Sequence, residues 1–328
     1  MAGDGPGGKA LREGLPRALI VAGPTCSGKS ALALDVALRL RGTVINADSM
    51  QTYRDLRILT ARPSPAEEAL VPHALYGVRA ATDPGTAAGW RQAALAAMAA
   101  ARAVGRLPIL CGGTGLYLSA LTQGIADIPE PSPSARAEAR GLLAEHGPAA
   151  LHARLAEADP ATAGTLRPLD GQRLARAWEV WRSTGRGLAS WHAVVAVPPP
   201  WSFRMVLLDP PRPVLRQAIA GRFAAMLAAG ALAEAAALRG LDPTLPLLRA
   251  HGVPELLAHL RGEATLDEAG ARVVMATGRY TKRQMTWFRH RPIVDPRHTH
   301  TIHSRYAVDT QFSESEWYAL LQFVNAEG

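Results

Sequence analysis

Apolar positions in this chain come as short continuous runs separated by stretches with helical spacing. Residues 18–22 (ALIVA), 43–46 (TVIN), 107–111 (LPILC) and 203–208 (FRMVLL) are apolar on successive positions, the pattern of strands buried on both faces of a parallel sheet. Residues 27–40, 87–104 and 213–239 carry helical periodicity between or after those runs, so the expectation is an α/β fold with a parallel sheet. A proline-rich hinge, IPEPSPS, begins at Ile128 and opens an arginine-rich segment, 136–193, with helical spacing and no convincing strand. It reads as a helical insertion, after which 203–208 returns the chain to the first domain. Residues 266–289 predict a basic helix, 291–310 an irregular stretch and 314–324 a closing helix. The predicted organisation is a flexible N-terminal arm over 1–17, a core over 18–127 and 197–291, the insertion over 128–196, and a tail with a short helix over 292–328.

Composition narrows the class. The 328 residues are 48% hydrophobic, which supports a real core and excludes a disordered chain. Two cysteines, Cys26 and Cys111, give no disulfide framework and point to a reducing compartment, expected to be the cytoplasm. No signal peptide is visible, and the most apolar helical stretch, 223–238, is alanine-rich, contains Glu234 and is too short to span a bilayer. A formal charge of +8 favours an anionic partner. Only Lys9, Lys29 and Lys282 are lysines; the other 33 basic residues are arginines, so each lysine invites a reason.

Lys29 has one. Gly23, Pro24, Thr25, Cys26, Ser27, Gly28, Lys29 and Ser30 fit G-x-x-x-x-G-K-[ST] between a predicted strand and a predicted helix, the context in which this loop cradles phosphate. Its backbone N–H groups and the helix N-terminus attract an anion, Lys29 supplies a compact charge, and the Ser30 hydroxyl suits Mg²⁺. The core is therefore expected to be P-loop NTPase-like. The motif alone leaves the reaction open among an ATPase, a small-molecule kinase and an enzyme that releases pyrophosphate. Asp48 and Asp209 follow apolar runs and are the candidate acids; Asp48 and Ser49 could equally cap a helix.

Further blocks carry more than a generic motif. GPTCSGKS, NADSMQTYRDL with TARPS, PILCGGTGLYLSAL, QRLARAWEVWRSTGRGL and RYTKRQMTWFRHR, in this order, resemble the tRNA dimethylallyltransferase family across roughly 18–291. The resemblance implies a P-loop core with a helical insertion that grips a tRNA anticodon stem-loop. It implies transfer of a dimethylallyl group from dimethylallyl diphosphate to N6 of the adenosine 3′ of the anticodon, with Mg²⁺ as cofactor; a monomer is expected. By matching positions, Asp48 is the base at N6, Thr114 lies near the reacting groups, and Arg249 joins Lys29 and the cradle on the pyrophosphate. The stretch after Arg249 departs from the family at Val253 and Pro254. Expected tRNA contacts are Asp48, Ser49, Met50 and Gln51; Gln172, Arg173, Leu174, Ala175 and Arg176, whose arginines share one helical face; and Arg279, Lys282, Arg283, Gln284, Trp287 and Arg289. Gly278 stands where the family often has arginine, so one phosphate contact is expected to be missing or to shift to Arg279.

Other features are read plainly. His298, His300 and His303 lie in a stretch without accompanying acids or thiols and are expected to be a solvated tail. Trp178, Trp181 and Trp191 are expected to form the core of the insertion. The rival readings are an isopentenyltransferase acting on free adenine nucleotides, a small-molecule P-loop kinase and a non-enzymatic RNA-binding module.

Overall fold

The structure is a computed structural model that describes residues 14–194, 196–307 and 312–326. The expected N-terminal arm lies outside the described residues up to residue 13. The chain forms two compact units, one from Met1–Thr122 with Pro199–Gly328 and one from Gln123–Pro198.

In the first unit, β1 (Arg17–Ala22), α1 (Lys29–Leu40), β2 (Gly42–Asn46), α2 (Pro65–Leu70), β3 (His73–Ala74), α3 (Ala87–Ala103), β4 (Leu107–Gly112) and α4 (Gly115–Gln123) precede the insertion. The insertion holds α5 (Pro133–Ala158), α6 (Pro160–Ala163), α7 (Gly171–Thr184) and α8 (Leu188–His192). The first unit then resumes with β5 (Ser202–Leu208), α9 (Arg212–Ala228), α10 (Ala231–Ala236), α11 (Val253–Leu260), α12 (Leu266–His290), β6 (Thr299–Ile302) and α13 (Glu314–Asn325).

Six strands form one sheet in the order β3-β2-β4-β1-β5-β6, and every pairing is parallel. The two-residue period of a strand sorts β1 between two cores. Ala18, Ile20 and Ala22 face a cluster with Trp90, Met98 and Leu118, while Leu19 and Val21 face one built from α1, α13 and Tyr306. Ile20 and Val21 are fully buried, and such burial stabilises by about 1.5–3 kcal/mol per side chain relative to exposure. That is why the run is apolar on both faces. A third cluster packs Tyr53, Leu56 and Leu59 against α9, α11 and α12 through Phe223, Leu256 and Val273.

The stretch 291–310 is not irregular throughout. Residues 299–302 pair with β5, from Met205↔Thr299 to Leu208↔Ile302, and make the sheet's outer strand. Trp317, Leu320 and Val324 of α13 are buried in the same core as α1, so the tail belongs to the first unit. THTI escaped recognition because an edge strand need not be apolar on successive positions. Sequence reading also missed α2, the short β3 and α11.

The second unit packs α5 against α7. Leu151, Leu155, Leu174, Ala177 and Trp178 form its centre, with Trp181 beside them, whereas Trp191 lies under the Arg186 guanidinium at 4.3 Å. Gly147 (φ 75°) breaks α5 just ahead of Pro148. Among the described residues no helix is long and apolar enough to cross a membrane.

Candidate active site

The cradle loop joins β1 to α1 at the carboxyl end of the sheet, the edge where open α/β folds place their ligands. Cys26 (φ 68°) and Gly28 (φ 92°) hold left-handed backbone, and the Ser27 N–H closes a turn on the Pro24 carbonyl at 3.2 Å. A Cβ on Gly28 would overlap the Tyr306 carbonyl, so glycine is required there by packing as well as by φ. The Lys29 ammonium reaches the Pro24 carbonyl at 3.5 Å. The N–H groups opening α1 have no carbonyl of their own helix ahead of them and point toward a would-be anion.

One expected donor is spoken for. The Thr25 N–H donates to Gln284 Oε1 at 2.9 Å, and Gln284 Nε2 donates to the Gly113 carbonyl at 3.0 Å. Gln284 is 4% exposed, so it straps the cradle to the loop after β4 and is not on the surface where tRNA contact was expected.

Asp48 follows β2 at the same edge. Its Oδ1 accepts the Met50 N–H at 2.9 Å, while Asn46 bonds the Asp48 backbone in both directions, 2.8 and 2.9 Å. The capping reading is thus met by one carboxylate oxygen, Oδ1, which fixes the turn. Thr114, expected near the reacting groups, lies beside this turn but lines neither of the two cavities at this edge. Its Oγ1 accepts the Ser49 N–H at 3.0 Å instead of capping α4, and so links the ends of β2 and β4. Gln51 spends its amide on the Thr60 and Ala61 carbonyls, both at 2.9 Å, closing the loop above the site.

A cavity of about 260 Å³ joins these pieces. Thr25, Cys26, Lys29 and Ser30 line one part, and Asp48, Ser49, Met50 and Gln51 another. Arg249, expected at the pyrophosphate, and Arg283, expected as a tRNA contact, also line it. Ile219, Phe223, Met226 and Val273 supply an apolar wall, and Arg222, His251 and Tyr280 complete the lining. A second cavity of about 290 Å³ shares Cys26, Lys29, Ser30 and Arg222 and adds Arg62 and Arg305.

The lining is electrostatically shaped. Burial pushes the Tyr280 hydroxyl far above its ordinary range, and the Asp48 charge adds to the effect. Burial lowers the pKa of His251, opposed by Glu255, and the Arg283 cation lowers it further, so the imidazole is held neutral. The rings of His251 and Tyr280 lie 4.9 Å apart. Cys111, buried behind Lys29, has its thiol pushed up to about 11 by burial and is inert.

Not every expected residue meets at this cavity. Arg279 and Lys282 line a separate groove between α9 and α12, with Arg212 and Arg216, because a helix turns them away from Arg283. Trp287 packs over Gly115 and is half-buried, whereas Arg289 is exposed. Gln172, Arg173, Leu174, Ala175 and Arg176 belong to the second unit. There Arg173 and Arg176 are exposed, each in a loose pair with an acid of α7's own turn or cap, at 3.5 and 3.8 Å. Leu174 is fully buried in the insertion core, which removes it from the expected tRNA face. Asp209 donates its backbone N–H to Ile302 and lines neither cavity. Among the described residues no group of three or more His, Cys, Asp or Glu side chains could hold a metal, the three tail histidines included. Arg222 was missed: it sits in an alanine-rich helix whose sequence carries no motif.

Known proteins resemble this chain in sequence and fold. The model of the IPP transferase family matches residues 51–291, and that of isopentenyl transferase matches 16–72. A curated tRNA dimethylallyltransferase of Granulibacter bethesdensis is 62% identical over 313 residues, covering 94% of this chain and 98% of its own. The crystal structure of a full-length tRNA isopentenylpyrophosphate transferase from Bacillus halodurans superposes with a TM-score of 0.64 at 30% identity, over 94% of this chain and 96% of that one. A eukaryotic dimethylallyltransferase acting on tRNA shares the fold, with a TM-score of 0.78 at 22% identity over 94% and 79% of the two chains. With the family model spanning most of its length and a relative matched almost end to end, the chain belongs to the IPP transferase family.

Proposed function

We propose that this chain transfers a dimethylallyl group from dimethylallyl diphosphate to N6 of the adenosine 3′ of a tRNA anticodon. The observation that carries the reading is the 260 Å³ cavity itself, in which a phosphate cradle, a carboxylate and an apolar wall share one space. The apolar wall of Ile219, Phe223, Met226 and Val273 beside the cradle suits a five-carbon allylic group.

In this reading the diphosphate lies on the α1 N-terminus and Lys29, with Arg222 and Arg249 as further cations, and the prenyl chain lies along the apolar wall. The N6 lone pair attacks the allylic carbon, the C–O bond breaks, and its electron pair leaves with pyrophosphate. N6 then carries an extra proton, which the unengaged oxygen of Asp48 accepts. Thr114 holds Ser49, and through it the Asp48 turn, in place. Arginines and backbone N–H groups fixed before the reaction stabilise the charge developing on the leaving group. Neutral His251 and un-ionised Tyr280 add no competing charge beside Asp48.

Ser30, exposed at the start of α1 and lining both cavities, is the protein donor suited to Mg²⁺. With no cluster of acidic ligands among the described residues, the other donors would be diphosphate oxygens and waters, the mode Mg²⁺ favours. Bound there, the ion would offset diphosphate charge. Exposed Arg173 and Arg176 of the insertion, and Arg279 and Lys282 in the α9–α12 groove, are suited to phosphate contacts along an RNA backbone.

Labelled dimethylallyl diphosphate and Mg²⁺, incubated with unmodified tRNA, AMP or ATP in turn, test the reading. Label is expected on tRNA alone; label on AMP but not on tRNA would overturn it in favour of a free-nucleotide isopentenyltransferase.

A further inference from the structure

Residues 292–328 lie beyond the segment matched by the IPP transferase model, yet two of them touch the cradle. The Tyr306 N–H donates to the Ser27 carbonyl at 3.0 Å, its ring is 1% exposed, and its hydroxyl bonds the Asp35 carboxylate of α1. Together with the close approach of Gly28 to the Tyr306 carbonyl, these contacts lock residue 306 against the loop. Arg305, immediately before it, donates from Nε to the Cys26 carbonyl at 3.1 Å. Its guanidinium belongs to the cavity that also contains Gly28, Lys29, Ser30 and Arg222.

We propose that Arg305 is a cation of the diphosphate site, brought by the tail to the rim of the cradle. It would bind the phosphate oxygens of the substrate and of the departing pyrophosphate through its terminal nitrogens. The inference rests on reading the cradle as a diphosphate site. Three features support the assignment. A guanidinium whose Nε is already anchored presents its remaining donors in a fixed fork, the geometry suited to phosphate oxygens. No ion pair with an acid is found for Arg305 among the described residues. Its backbone is held on one side by β6 and on the other by buried Tyr306, so little ordering remains to oppose binding. The diphosphate's cations then come from four separate places in the chain: Lys29 from the motif, Arg222 from α9, Arg249 from the turn before α11 and Arg305 from the tail.

The test is calorimetric titration of the full chain with pyrophosphate and Mg²⁺, comparing Arg305→Gln and Arg305→Lys with the unaltered protein. Gln keeps a donor for the Cys26 carbonyl without the charge; Lys keeps the charge. Loss of one charge-assisted contact predicts that Kd rises about tenfold in the Gln variant and stays within about threefold in the Lys variant. A Gln variant that binds within about twofold of the unaltered protein overturns the proposal. So does a Lys variant that loses as much as Gln, since Arg305 would then serve only the loop's shape. Tight pyrophosphate binding without label transfer to tRNA would sink the transferase reading and leave this one standing.

Discussion

Gln284 separates two accounts of α12, because its motif points to tRNA and its hydrogen bonds tie it to the cradle. In Gln284→Leu the Thr25 N–H and the Gly113 carbonyl both lose their partner behind a side chain that is 4% exposed. Each buried group left unsatisfied costs about 1–3 kcal/mol, and the apolar replacement of similar volume returns part of the sum, for a net loss of roughly 2–4 kcal/mol. Total stabilities are about 5–15 kcal/mol, so the variant stays folded. At about 2–4 °C per kcal/mol for a unit of this size, the melting midpoint should fall by roughly 5–15 °C in a thermal scan. Because the strap fixes the Thr25 end of the cradle, KM for dimethylallyl diphosphate should rise at least about threefold, while Kd for tRNA stays within about twofold. A tenfold weaker Kd for tRNA with an unchanged melting midpoint would refute the strap and return Gln284 to the RNA-binding face.

Asp48→Asn keeps an oxygen for the Met50 N–H, so melting and pyrophosphate binding should hold while kcat falls about 10²–10⁴-fold; a loss under tenfold in single-turnover assays would remove Asp48 as the base. Glu234 accepts the Arg57, Ile58 and Leu59 N–H groups at 2.6, 2.8 and 2.7 Å and so pins the loop that carries Leu59 and Thr60 to the cavity. Glu234→Ala should cost roughly 2–4 kcal/mol in denaturant unfolding and Glu234→Gln less; equal stability of all three proteins would contradict this. His251 has a folded pKa below its ordinary value of about 6.5, so the unfolded chain takes up the proton first and stability declines as pH falls through 6.5 toward the folded value. His251→Gln should flatten that decline in melting scans between pH 7.5 and 5, and parallel curves would show that other groups set it.

The sequence shows most where burial is uniform. β1, β2, β4 and β5 are legible because both faces of a central parallel strand must be apolar, and the cradle is legible because its glycines and lysine answer to one ligand. Family motifs then place Asp48, Arg249 and Arg283 at a common cavity. What a motif does not convey is the face a residue occupies. Leu174 and Gln284 sit inside blocks associated with tRNA and turn inward, toward the insertion core and the cradle. Arg222 and Arg305 are invisible for the opposite reason: one is an arginine among many in an alanine-rich helix, the other follows an edge strand too polar to stand out. Their significance comes from tertiary approach across separations of 196 residues, for Arg222 to Cys26, and 279, for Arg305 to Cys26.

The packing of Tyr306 on Gly28 has a consequence for the timing of synthesis. The cradle leaves the ribosome early, but the residue that closes over it follows 278 positions later, and at about 5–20 residues per second that interval lasts roughly 15–55 s. Throughout it α1 lacks the Tyr306 contact with Asp35, and β5, once made, waits about 90 residues for β6. A nascent chain therefore carries every residue of the phosphate motif well before it carries a finished phosphate site, and the segment that follows the sheet's last strand completes the loop that follows its first.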